Sequence, residues 1–134
     1  MSAFTKVNLA DVEDMAAKRG LAPNMEGRFA KGPLELEQTG VSFQRLAPNF
    51  RMPFGHRHAE QEEVYAILAG SGRMKLEDEI IDVVARDLIR VPGPTARAFE
   101  AGPEGLELLA FGAPTSAGAS PGADAEVLED WWTD

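Results

Sequence analysis

The two histidines of the chain stand two residues apart, in Gly55-His56-Arg57-His58. On a β-strand, residues i and i+2 point to the same face, so the two imidazoles would meet side by side. Two neutral imidazole nitrogens on one face can share a metal ion. Immediately downstream comes Ala59-Glu60-Gln61-Glu62-Glu63. If the chain turns there and re-enters the sheet, one of these carboxylates can join the pair. Two nitrogens and one carboxylate oxygen suit Fe(II), Mn(II), Ni(II), Co(II) or Zn(II). The plainer reading of an isolated His-x-His is packing or hydrogen bonding at a barrel rim. Other chemistries are thin. The chain has no cysteine, which removes disulfides, thiolate nucleophiles and sulfur-ligated clusters together. Gly70-Ser71-Gly72 is too short for a P-loop or a dinucleotide fingerprint and reads as a turn.

The elements that must position these residues are short strands. Gly32-Pro33 marks a change of punctuation, after which Leu34–Thr39, Val41–Leu46, Glu63–Leu68, Arg73–Glu77, Ile80–Val84, Leu88–Val91, Ala96–Glu100 and Leu106–Phe111 read as alternating or β-rich segments. Turn signals separate them: Gly40, Gly70-Ser71-Gly72, Asp78-Glu79, Pro92-Gly93-Pro94, Gly102-Pro103 and Gly112. No helical pattern alternates with the strands, so the pattern predicts an all-β antiparallel sandwich or barrel rather than a doubly wound sheet. Ahead of the strands, Asn8–Arg19 reads as one short helix, capped by Asn8 and stopped by Gly20. The stretch from Leu21 to Pro33 reads as an irregular arm. Three regions result: a helix and arm over 1–33, a β-barrel over 34–114, and a tail over 115–134.

With the strands in place, the text His56-x-His58-x4-Glu63-x6-Gly70 resembles the first conserved motif of the cupin superfamily. The resemblance spans roughly residues 41–111, with Pro48 and Pro53 on the approach and Glu62-Glu63-Val64-Tyr65 and Leu68-x-Gly70-x-Gly72 following. It implies a small antiparallel β-barrel or jelly roll, commonly dimeric, with metal held by His56, His58 and Glu63. The family spacing to Gly70 selects Glu63 over Glu62. Alternation then sends Glu63, Tyr65 and Ile67 into the barrel and Glu62 outward. The sequence departs from the family twice. The glycine expected six positions before the first histidine falls on Phe50, and Asn49, which tolerates a left-handed backbone, stands in for it. The further histidine expected after Pro92-Gly93-Pro94 is replaced by Arg97, and no third histidine exists.

A guanidinium cannot ligate a metal. Three roles for Arg97 stay open: a forked contact to an anionic substrate beside a three-ligand metal, a pairing with Glu63 in a metal-free site, or a purely structural position. Tyr65, Gln44 and Phe99 are the other candidates to line a ligand pocket, each against the plainer alternative of barrel packing. Two functions follow. One is a metal-binding small-molecule protein, with or without turnover, that takes a small anion. The other is a non-enzymatic, metal-free binding module.

Length and charge bound these readings. At 134 residues one domain can bury a core without staples. The net charge of −9 argues against nucleic acid or an anionic membrane as partner. Residues 115–134 hold five acidic and no basic side chains, so much of that charge belongs to the tail. Its first part, 115–125, is small and Gly/Pro/Ser-rich and reads as a flexible linker. Its end carries Trp131-Trp132, expected to dock on the barrel or on a neighbouring subunit, with a lid over a pocket as the rival reading. No targeting segment or apolar span is visible, which together with the missing cysteines leads to a cytoplasmic expectation. An open barrel exposes a sheet edge, and a homodimer would protect it.

Overall fold

The computed structural model describes residues 3–115 and 124–132. The chain folds into an antiparallel sheet curled into a half-barrel. Its strands are β1 (Met25–Phe29), β2 (Gly40–Leu46), β3 (Phe54–His58), β4 (Glu63–Leu76), β5 (Glu79–Val84), β6 (Leu88–Val91), β7 (Arg97–Gly112) and β8 (Ala125–Glu129). They pair in the order β1-β2-β7-β3-β8, while β4 joins β5, β6 and β7. The all-β expectation stands. Among the described residues no helix is long and apolar enough to cross a membrane.

The frame is the pair of long strands β4 and β7. Sequence punctuation divides each of them in two, at Gly70-Ser71-Gly72 and at Gly102-Pro103. The structure runs through both signals. Register shifts between Ile67 and Ala69 and between Gly70 and Gly72 bend the ladder without ending it. Gly70 lies at φ +80, and a Cβ there would collide with the Gly105 carbonyl. The glycines are bulge residues that let two strands cross closely and curl, not stops.

Other boundaries move for local reasons. Leu34–Thr39 is not a strand. Its Leu-Glu alternation is real, but Leu34 N–H bonds to Ala30 O, Leu36 N–H bonds to Lys31 O, and Glu35 sits at φ 59, so the segment is a chain of turns. The predicted helix breaks into a 3-10 turn, Leu9–Asp11, capped by Asn8, and a single helical turn α1 (Met15–Lys18), capped by Asp14. Asp14 also accepts from Gly27 N–H. It ties the N-terminal segment to β1, and a cap spent in mid-helix restarts the helix rather than extending it. The arm expected over Leu21 to Pro33 contains β1, which pairs with β2 from Met25↔Leu46 to Phe29↔Ser42. Asn49 has φ 63, the left-handed backbone expected of it.

The concave face buries Met25, Leu46, Tyr65, Ile67, Met74, Phe99, Leu106 and Leu108. Burial of each large apolar side chain contributes about 1.5–3 kcal/mol against exposure. The tail carries a strand that its sequence does not announce. Residues 116–123 of the expected linker lie outside the described residues. Beyond them, β8 pairs with β3 from Phe54↔Glu129 to His58↔Ala125. Trp132 is buried and Trp131 packs against the core. Arg51 stacks over Trp132 and the Lys75 ammonium over Trp131. Lys75 Nζ also donates to the Trp131 carbonyl at 3.1 Å. The docking expected of the tryptophans is therefore intramolecular. A Cβ on Gly55 would strike the Trp131 indole, so glycine before His56 makes room for the tail.

Candidate metal centre

β3 carries His56 and His58 to one face, and β4 brings Glu63 against them. His58 Nε2 lies 3.4 Å and His56 Nε2 3.6 Å from Glu63 Oε1. One ligand atom from each of the three residues lies within 4.8 Å of the others. Donors at about 2.0–2.2 Å from a common ion stand about 2.8–3.6 Å apart in octahedral or tetrahedral shells, so the two carboxylate–imidazole separations fall at the upper end of what one ion requires. The donor set, two imidazoles and one carboxylate, also fits a divalent ion of the Mn-to-Zn series. Glu62, one residue earlier, points away and pairs with Arg90 at 2.5 Å, as the alternation predicts.

Arg97 is the base of the site. The single register bridge between β3 and β7 places it opposite His56. It is fully buried, at 0% exposure. Its Nη2 donates to Glu63 Oε1 at 3.0 Å, Nε to Tyr65 Oη at 3.2 Å, and Nη1 to the carbonyls of Gly93 and Thr95 at 2.9 and 2.7 Å. Of the three roles open to Arg97, the structure displays the pairing with Glu63. A direct fork to a bound anion would require these bonds to break. Gly93 matters here as backbone: its carbonyl also accepts from His58 N–H at 2.8 Å, and a Cβ would run into Glu60. The Pro92-Gly93-Pro94 turn thus clamps both motifs together.

Tyr65 Oη donates to Glu63 Oε1 at 2.8 Å, and its ring meets Phe99 edge-on at 5.2 Å. Tyr65 and Phe99 therefore belong to the surroundings of the site. Gln44 lies on β2 and donates to Ser42 Oγ at 3.4 Å.

The electrostatics follow from these contacts. Burial alone would raise the pKa of Glu63. The facing imidazoles of His56 and His58, the hydrogen bond from Tyr65 and the charge of Arg97 overcome it and hold the carboxyl far below its ordinary value. Glu63 is a permanent anion. Tyr65 moves the other way, because burial and the neighbouring carboxylate push its phenol far up, so it remains a neutral donor. For His58, burial opposes the charged form, yet its hydrogen bonds to Glu63 and Asp124 raise its pKa above the ordinary imidazole value. At 3.4 Å from Glu63 Oε1, His58 Nε2 can turn a proton toward the carboxylate or, without one, offer its lone pair to a metal.

Asp124 escaped the sequence reading. It sits just ahead of β8 and accepts from His58 Nδ1 at 2.9 Å. Nothing near it in the sequence signals this contact, since the turn and β8 place it there across 66 residues of chain.

No protein-family model and no curated protein matches the sequence. Solved structures do match. A cupin protein of Bacteroides fragilis superposes with a TM-score of 0.70 at 22% identity, over 90% of this chain and 92% of that one. A nucleoside dehydratase from Streptomyces gives 0.70 at 16%, over 92% and 90%. An oxalate decarboxylase of Bacillus subtilis gives 0.75 at 21%, over 96% of this chain but 34% of that one. At these identities the likeness is one of fold.

Proposed function

The chain has the cupin fold, and we propose that it is a metal-binding small-molecule protein in which His56, His58 and Glu63 hold one divalent ion. The single observation behind this reading is the convergence of two imidazoles on one partly buried carboxylate at 3.4 and 3.6 Å. When bound, the ion would supply Lewis-acid chemistry or a meeting point for O2 and substrate. The residues around it have separable tasks. Glu63 supplies the anionic ligand. Tyr65 and Arg97 fix its orientation from below. His56, the more exposed imidazole, faces the approach to the site.

Charge supports a small anion as the ligand. Arg97 already balances Glu63, so with the Asp124 carboxylate beside His58 a divalent ion leaves the site near +1. A third histidine in place of Arg97 would leave it near zero. The extra positive charge favours a carboxylate or phosphate through the field of the site, without a fork from the buried Arg97. Solved proteins of similar fold include a sugar phosphate isomerase and an oxalate decarboxylase, whose named substrates are anions. Fold alone does not set chemistry.

The 3.0 Å pair between Arg97 and Glu63 favours a second reading, a metal-free binding module in which Arg97 replaces the ion. Metal analysis of untagged protein after supplementation with Fe, Mn, Ni, Co and Zn separates the two. Wild type should hold close to one equivalent and His58→Ala much less. Equal contents in both would leave the metal-free module standing.

A further inference from the structure

His58 is held from two sides, and the second side comes from the far end of the chain. Its Nδ1 lies 2.9 Å from Asp124 Oδ1, and both side chains are nearly buried. Asp124 Oδ2 accepts from the backbone N–H groups of Glu60 and Gln61, each at 3.0 Å. The Asp124 carbonyl accepts from Ala59 N–H at 3.0 Å. The residue therefore grips the turn that joins the two histidines to Glu63. Burial works against its ionisation, but the His58 contact and the two backbone donors hold its carboxyl below the ordinary aspartate value.

A carboxylate can only accept a hydrogen bond, so the proton of this contact belongs to His58 Nδ1. Nε2 faces the Glu63 carboxylate at the longer distance of 3.4 Å, so in a neutral imidazole the shorter Nδ1 contact keeps the proton and the lone pair falls on Nε2. We propose that Asp124, delivered by the C-terminal segment, is the positioning residue for His58: it keeps the proton on Nδ1 and presents Nε2 to the cation site. The tail is then part of the centre, joined to it by β8, Trp131 and Trp132. Outer-shell partners of this kind typically change metal affinity 10–100-fold. The consequence for metal rests on the reading above, whereas the tautomer does not.

Asp124→Asn tests this in the full chain. The asparagine carbonyl still accepts from Glu60 and Gln61, so the turn keeps its cap. Its NH2 group, however, donates toward His58 Nδ1 and drives the proton to Nε2. Long-range 15N NMR of metal-free protein, at a pH where His58 is neutral, should show the Nδ1–H tautomer in wild type and Nε2–H in the variant. Titration with Zn2+ should show affinity falling about 10–100-fold in the variant. An Nε2–H tautomer in wild type, or the same tautomer in both proteins, overturns the proposal and leaves Asp124 as a turn cap only. The wild-type spectrum decides even if the variant folds poorly. If wild type binds no Zn2+ while the tautomer changes as described, the metal reading fails and the positioning role stands.

Discussion

Replacing Arg97 with methionine keeps its bulk and removes its charge. The guanidinium is fully buried and makes four hydrogen bonds, one to the partly buried carboxylate of Glu63 and two to backbone carbonyls. Removing one partner of a buried ion pair costs about 3–5 kcal/mol, because the other charge stays buried without its counter-charge. With an unfolding entropy of about 2.1 cal/mol/K per residue, 134 residues give about 0.28 kcal/mol/K, so the loss amounts to about 11–18 °C in Tm. Thermal melts of metal-free protein by circular dichroism measure it directly. The double variant Arg97→Met/Glu63→Gln should recover part of the loss, since a neutral amide needs no counter-charge. Zn2+ should raise the Tm of Arg97→Met more than that of wild type, because the ion then balances Glu63. A fall of less than about 4 °C, roughly 1 kcal/mol on the same scale, with no recovery in the double variant, would show that Arg97 is not the counter-ion of Glu63.

Further expectations concern pH, the tail and assembly. The depressed pKa of Glu63 stabilises the fold above its unfolded value near 4.5, and that contribution is lost as pH falls. The raised pKa of His58 stabilises it below about 6.5, and that contribution fades as pH rises through the folded value. Metal-free protein should therefore melt highest between about pH 4.5 and 6.5, and His58→Gln should flatten the alkaline side; a Tm that climbs from pH 6.5 to 9 in wild type contradicts this. Trp131 and Trp132 are the chain's two tryptophans, so its tryptophan fluorescence reports the tail alone. Gly55→Leu should expel Trp131 and shift emission to the red, and an unchanged spectrum would mean the tail docks elsewhere in solution. Leu68, Leu88 and Phe111 are exposed apolar side chains of β4, β6 and β7, and we propose a second copy as their cover. Sedimentation should show a dimer for wild type and a monomer for Phe111→Asp; a monomeric wild type at tens of micromolar rules the dimer out.

What the sequence made legible, and what it hid, divides by range. His56, His58 and Glu63 are close in the chain: strand alternation pairs the two histidines, the cupin resemblance selects Glu63, and alternation then turns Glu62 away. Asn49 could be assigned its backbone because few residues tolerate that region. Glycine was ambiguous: the same Gly70-Ser71-Gly72 that suggests a turn makes a bulge when a second long strand crosses it. Leu34–Thr39 alternates like a strand but has no neighbour to pair with, and alternation cannot reveal the partner. β8 and Asp124 were hidden because their order comes from contacts with β3, far away in the chain. The fate of Arg97 was hidden for the same reason: only the β3–β7 register shows that it faces Glu63.

X-ray absorption on the protein loaded with one equivalent of Co2+ or Zn2+ looks at the proposed ligands themselves. Two imidazole scattering shells and an oxygen at about 2.0–2.2 Å are expected for wild type, with one imidazole lost in His58→Ala. A spectrum without imidazole scattering, or one that His58→Ala leaves unchanged, would contradict a metal centre built on His56, His58 and Glu63.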